Sequence, residues 1–311
     1  MSKSNRPRKG SLAFRPRKRA KRQMPLINFW PKVDSPTLLG FAGYKVGMRS
    51  VSFIDDSNSP TANSEIVTAA TVVEVPPIVI YGIRGFKNNQ VLRDQLTTDQ
   101  KILKELKIKK PKSTTPLQPS EVDDVFVLAY TQPKLCGFGK KKIDKMMIAI
   151  GGKSVQEKLN YAQSILGKEI KASEVLKEGE YVDVVAITKG KGWQGAVKRF
   201  GVSIQRPKAT GKRRHVGTLG AFGYAAVFYT VPMAGQMGYH KRFNYNLRLL
   251  KISSPTEANI KGGYPHYGVA KNDCLVIKGS IPGPKKRLIR LRKAVRKISL
   301  PIKTPQNVVL L

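Results

Sequence analysis

The chain has 311 residues, of which 41% are apolar and 25% charged, enough to fold most of it into one or two domains with a core. Its formal charge of +37, from 57 lysines and arginines against 20 acids, excludes a protein whose charges are balanced internally and points to a polyanionic partner. Only two cysteines are present, Cys136 and Cys274, which excludes a disulfide framework, and no stretch reaches the roughly 18 apolar residues of a membrane span.

The charge is segregated along the chain. Eighteen of the 20 acids lie between Asp34 and Asp183 beside 21 bases, so that block is nearly neutral. Residues 1–33 carry 11 bases and no acid, and residues 184–311 carry 25 bases with only Glu257 and Asp273. Nucleic acid is the polyanion that fits. A membrane surface would call for an amphipathic basic helix or a lipidation signal, and neither terminus offers one. The basic start, "MSKSNRPRKGSLAFRPRKRAKRQ", lacks the apolar centre of a signal peptide, which predicts a cytoplasmic protein.

In chain order, residues 1–33 form a basic extension whose first 24 or so positions predict disorder in isolation. From Pro36, "LLGFAGYKVGMRSVSFID" and "IVTAATVVEVPPIVIYGIRGF" alternate β-branched and aromatic residues with turn residues, which predicts strands. Residues 34–82 are therefore the first part of a β-barrel. An α/β insertion follows over residues 83–179. Within it, "DQKILKELKIKK" places Ile102, Leu103 and Leu106 on one helical face. "SVQEKLNYAQSILGKEI" opens with Ser154 and Glu157 at capping-box spacing, and "DDVFVLAY" and "DKMMIAIGG" read as buried strands.

Residues 180–283 supply the second part of the barrel, with "GEYVDVVAIT", "AAVFYTV", "LRLLKI" and "DCLVIKG" as strands and a basic finger loop at about 190–245. Residues 284–311 form a basic C-terminal segment. The run from Gly279, "GSIPGPKKRLIRLRKAVRKISLPIKTPQ", predicts an extended or loosely helical surface segment, and ten bases with no acid after Asp273 predict phosphate contact. The fold expectation is thus mainly β with an α/β insertion.

Enzyme signals do not hold up. "GKGWQG" puts Gly190, Gly192 and Gly195 in dinucleotide-loop spacing, but no acid that could hold a ribose occurs between Asp183 and Glu257. "IAIGGKSVQEKL" imitates a phosphate loop, yet its first glycine position is Met147. None of His215, His240 and His266 has a second histidine or cysteine at metal-ligand spacing, so no metal and no cofactor is expected. A cysteine–histidine nucleophilic pair stays open, because such residues meet in space rather than in order, but no local context favours one.

The stretch from Val184 to Thr256 holds 13 bases and no acid, interspersed with aromatic residues that include Trp193, Phe200, Phe222, Tyr229, Phe243 and Tyr245. Cations for phosphates together with ring faces for unpaired bases suit folded RNA better than smooth duplex DNA. The nearly uncharged "VGTLGAFGY" between the basic "GKRRH" and "YHKR" reads as a tip pushed into RNA behind a basic neck.

The motifs "GSLAFRPRKRA", "GFAGYKVGM", "VVEVPPIVIYGIRGF", "GEYVDVVAITKGKGWQGAVKRFG", "AGQMGYHKR" and "IKGSIPGPKKR" occur in order over nearly the whole chain. On them the sequence resembles the archaeal and eukaryotic type of the universal third protein of the large ribosomal subunit, the ribosomal protein L-three family. The resemblance implies a translation-protein-type β-barrel with long basic extensions that penetrate 23S-type rRNA near the peptidyl-transferase centre. It also implies neighbouring large-subunit proteins as partners, a role in early subunit assembly, and neither catalysis nor a small-molecule substrate.

The residues expected at RNA are Arg15, Arg17, Lys18 and Arg19 in the arm, and Lys189, Lys191, Trp193, Lys198 and Arg199 in the first basic loop. Lys212, Arg213 and Arg214 belong to the neck, Gln236, His240, Lys241 and Arg242 to the return, and Lys285, Lys286 and Arg287 lie near the other end. The family's tip, usually "GAW", corresponds to Gly220, Ala221 and Phe222, so a phenyl ring stands in for the indole and its N–H donor. The neck position that carries a modified histidine in eukaryotic relatives corresponds to Gly211, and that modification is not expected. A nucleotide-dependent RNA-modifying enzyme and a DNA-compacting protein are the rival readings.

Overall fold

The computed structural model describes residues 7–109, 115–221, 223, 225–296 and 303–311. The chain divides into two units: a basic unit of Met1–Gln23 with Ile187–Arg242, and a β body of Met24–Ala186 with Phe243–Leu311.

The strands, in order, are β1 (Gly40–Ile54), β2 (Glu65–Glu74), β3 (Ile78–Lys87), β4 (Gln90–Leu96), β5 (Asp124–Thr131), β6 (Lys145–Ala149) and β7 (Glu169–Ile170). They continue as β8 (Tyr181–Ile187), β9 (Trp193–Gln194), β10 (Gly235–Gln236), β11 (Lys241–Ser253), β12 (Cys274–Lys278), β13 (Leu288–Lys293) and β14 (Val309–Leu310). The helices are α1 (Gln100–Leu106), α2 (Val155–Ile165), α3 (Ala172–Val175), α4 (Ala196–Phe200) and α5 (Pro255–Ala258).

The chain is mainly β. One sheet has the order β13-β8-β11-β12-β2-β1-β14, and β13 also pairs with β1, so the path of pairings returns to β1. β1 and β2 make a long antiparallel hairpin, interrupted by a register shift between Lys45 and Gly47. The ring of Tyr264 packs 2.8 Å from where a Cβ on Gly47 would stand, so only glycine fits beside it.

A second sheet has the order β4-β3-β5-β6, with β7 on β3. It begins at Ile78, ahead of the insertion boundary expected at residue 83, because β3 is continuous through that position. Both sheets contribute to one core, in which Phe41, Tyr44, Ile78, Ile80, Ile148 and Leu275 meet.

The two longer helices follow their sequence signals. The Asp99 side chain caps α1 by accepting from the Lys101 amide at 2.9 Å, and Ile102, Leu103 and Leu106 are buried. Ser154 caps α2 by accepting from the Glu157 amide, while the Glu157 carboxylate accepts from the Lys153 amide, one residue earlier than a capping box would have it.

The C-terminal run differs from expectation. Residues 288–293 are not a surface segment but β13, every residue of which except Lys293 is buried. Lys45 ties down the preceding turn by donating to the carbonyls of Ile281 and Gly283. The basic side chains are tolerated inside because each has partners. The Arg292 guanidinium donates to Asp183 Oδ2 through Nε at 3.0 Å and Nη2 at 2.8 Å, and both residues are buried. Arg290 donates to the carbonyls of Pro25 and Met147 and has no acid beside it among the described residues, so burial pushes its guanidinium down to about 10.

Glu74, also fully buried, accepts from Tyr267, from the amides of Lys271 and Asn272, and from Asn272 Nδ2. Close to this carboxylate, burial pushes the thiols of Cys136 and Cys274 up, and Glu74 adds to the shift, so neither is a ready nucleophile.

Breaking a buried ion pair strands the remaining charge. Asp183→Asn is expected to destabilise the body by about 3 to 5 kcal/mol, read as a lower urea midpoint at constant m-value. An unchanged midpoint would show that the pair is not a main support of the body.

Candidate nucleic-acid interface

The basic unit contains ten basic residues in its first segment, eleven in its second and no acid. Its regular structure is slight: β9 and β10 pair antiparallel, with Gln236 opposite Trp193, and α4 ends on Gly201 in the left-handed region. The ladder extends beyond the two strands. Lys191 N donates to Met237 O and Met237 N to Gly192 O, both at 2.9 Å, and Thr188 N donates to His240 O at 2.9 Å. The glycines of "GKGWQG" therefore serve a hairpin. Gly238 turns the chain at φ +72°, with the Lys189 carbonyl oxygen 2.1 Å from any Cβ placed there.

The N-terminal arm has no regular secondary structure from residue 7 to residue 23, yet it is tied down at specific points rather than left without partners. Ala20 N donates to Tyr239 O, Arg8 donates to Thr230 O, and the Lys18 carbonyl meets His240 Nδ1 at 3.0 Å. With no carboxylate in the unit, the arginines stack on rings instead. Arg15 lies 3.9 Å from the Tyr229 centroid, Arg17 4.6 Å and Arg199 5.0 Å from Phe200, and Arg242 4.7 Å from Phe14. Arg199 also donates to the carbonyls of Gln236 and Met233.

The structure thus brings Arg15, Arg17, Lys18, Arg199, Gln236, His240 and Arg242 together, and Arg8, Arg15, Arg17, Arg199 and Tyr229 help line a cleft of about 360 Å³. Burial and neighbouring arginines push the Arg17 and Arg199 guanidiniums down. Burial pushes His240 below its ordinary 6.5, with Arg242, Arg199 and Arg17 adding to the shift and the Lys18 carbonyl opposing it.

Other expected residues stand apart from this cluster. Arg19, Lys189, Lys191, Lys198 and Lys241 are exposed, and Trp193 is 77% exposed, too open for a core role. Lys212, Arg213 and Arg214 are exposed in a neck tied by the Gln205 amide to the Arg213 carbonyl. Phe222 lies outside the described residues. "AAVFYTV" is not a strand: Val227, Phe228 and Tyr229 are 50%, 51% and 67% exposed, and no partner strand satisfies that backbone among the described residues.

In the β body, Lys285 is half-buried and donates to the Pro265 carbonyl, and Lys286 is exposed. Arg287, which the sequence reading placed at RNA, is only 8% exposed. That reading also missed Arg8, Phe14, Phe200 and Tyr229 as parts of the arginine cluster. Their only signal is the pairing of aromatic and arginine content in two distant segments.

The chain thus has a mainly β body and a cationic, acid-free unit of loops. The chain belongs to the ribosomal protein L3 family, which it matches over residues 1–110 and 118–304; the family is structural, not enzymatic. It is 44% identical to large ribosomal subunit protein uL3 of Methanosphaera stadtmanae, over 98% of this chain and 96% of that protein. It is 46% identical to the proteins of the same name from Methanobrevibacter smithii, over 95% and 94% of the two chains, and Methanocaldococcus jannaschii, over 97% and 95%. The family's archaeal type is thereby established.

Gly238→Ala is expected to break the ladder, with loss of hydrogen-exchange protection at the Lys191 and Met237 amides. Retained protection would mean that the turn tolerates a side chain. Because folded His240 holds its proton less tightly than the unfolded chain does, the stability it contributes is complete above pH 6.5 and lost as the pH falls through the lower folded value. A ring-proton titration by NMR should give a midpoint below 6.5, accompanied by loss of Ala20 amide protection, and a midpoint above 6.5 would contradict the burial.

Proposed function

We propose that this chain is a structural constituent of the cytoplasmic large ribosomal subunit that binds 23S-type rRNA and supports early subunit assembly. The observation that carries the reading is the basic unit: 21 cations and no acid leave its charge to be neutralised from outside, and phosphate groups are the ligands that do so in quantity. Family membership supports the same reading, since the relatives are named as large-subunit proteins.

In this reading the returning path of pairings through β1, β13, β8, β11, β12 and β2 is a closed barrel of the translation-protein type, interrupted by the second sheet. The loop from about 190 to 245 is the finger. Its neck cations Lys212, Arg213 and Arg214 meet phosphates, and its weakly charged tip at Gly220, Ala221 and Phe222 points to the peptidyl-transferase centre. Trp193 offers a stacking face beside Lys189 and Lys191. Arg15, Arg17, Lys18 and Arg19 follow RNA along the arm, and Lys285 and Lys286 add contacts from the body. Neighbouring large-subunit proteins complete the set of partners. Chemistry at the nearby centre belongs to RNA.

A high-salt sucrose gradient of cell lysate, combined with RNA cross-linking, tests this. The chain should stay with large subunits, and cross-links from residues 212–221 should map beside the RNA catalytic centre. Release into the soluble fraction, or cross-links confined to chromosomal DNA, would overturn the reading.

A further inference from the structure

The β body carries an aromatic feature that the basic finger and arm do not explain. Phe243 and Tyr245 lie two apart on β11 and so share one face of the strand. Their rings are stacked, with centroids 5.8 Å apart and planes 13° from parallel. The Arg292 guanidinium lies against both, at 5.5 Å from Phe243 and 5.8 Å from Tyr245. The Arg296 guanidinium covers Tyr245 at 4.3 Å. Tyr245 is nevertheless 41% exposed, Arg296 is exposed, and no hydrogen bond ties down the Tyr245 hydroxyl among the described residues.

One buried carboxylate, Asp183, accepts from three groups next to this stack in the chain or in space. Asp183 Oδ2 accepts from Arg292, which lies against the rings. Asp183 Oδ1 accepts at 2.9 Å from the amide of Asn246, the residue after Tyr245, which sits in the left-handed region at φ +53°. Oδ2 also accepts at 3.4 Å from the amide of Val295, the residue before Arg296. A non-glycine residue at positive φ, held by a buried charge next to a part-exposed tyrosine, indicates a preset position rather than a casual surface ring.

We propose that Tyr245, backed by Phe243 and flanked by Arg296, is a stacking site for one unpaired nucleobase. This rests on the RNA-binding reading above and extends it to the body. In the free protein the Arg296 guanidinium covers a face of Tyr245. When a base takes that face, the guanidinium moves to the adjoining phosphate, for which it provides two parallel N–H donors. Base–aromatic stacking is tolerant of sequence because every base has a π face, so the site selects single strands over duplex rather than one base over another.

The test uses the full chain with a short oligoadenylate, and with the same strand paired to oligouridylate. Ultraviolet cross-linking with mass spectrometry should yield a nucleotide adduct on Tyr245 for the single strand and none for the duplex. Tyr245→Leu should weaken oligoadenylate binding about tenfold, within the range of one lost stacking contact, while duplex affinity stays the same. Tyr245→Phe should bind as the parent does, which separates lost stacking from misfolding. Equal oligoadenylate affinity for parent and Tyr245→Leu would overturn the site, as would an equal adduct with duplex. In assembled subunits, a peptide of a neighbouring protein attached to Tyr245 in place of a nucleotide would also overturn it. A parent chain that binds neither RNA would instead remove the functional reading on which the site rests.

Discussion

Asp183 is the group on which the β body most depends. Its carboxylate is fully buried and gathers the Arg292 guanidinium from β13 with the amides of Asn246 and Val295. Burying a single carboxylate costs several kcal/mol, which is recovered only when its lone pairs are filled by close, well-directed donors. Here they are filled, and a strand containing two arginines becomes part of the interior. Glu74 does the same elsewhere in the body with a tyrosine hydroxyl and backbone amides.

The basic unit works under the opposite constraint. With no carboxylate available, its arginines turn to ring faces and carbonyl oxygens, which satisfy their donors without cancelling their charge. The unit therefore keeps a strong positive field while having a defined arrangement of side chains. That field has a local cost: burial first, and neighbouring arginines after it, lower the Arg17 and Arg199 guanidiniums and hold His240 below its ordinary value. Among the described residues, few main-chain hydrogen bonds hold the neck and the loop beyond it.

Much of the body was legible because its signals are local. Alternating apolar residues in β1 and β2, the continuous apolar run of β5, and the Asp99 and Ser154 caps act within a few positions of themselves and need no tertiary partner to be recognised. The misreadings have one cause. "AAVFYTV" has strand composition but no partner strand among the described residues, and "RLIRLRK" has surface composition but sits between β1 and β8. Propensity reports what a segment tolerates, whereas pairing decides where its backbone donors go. The burial of Arg287, expected at RNA on its basic neighbours, is likewise set by the fold and not by composition.

The sequence by itself determined the segregation of charge, the mainly β character, the helix starts, the absence of a dinucleotide or phosphate-loop motif and, through ordered motifs along nearly the whole chain, the family. These depend on composition, short-range spacing and order, all of which survive in one dimension. Only the tertiary structure decided which cations are buried and which are presented. It alone joined an arm near residue 15 to rings near residues 200 and 229, gathered Arg292 and the amides of Asn246 and Val295 around Asp183, and laid Arg292 and Arg296 against Tyr245. An electrostatic or stacking contact forms at a few ångströms in space and carries no trace of the sequence separation it bridges.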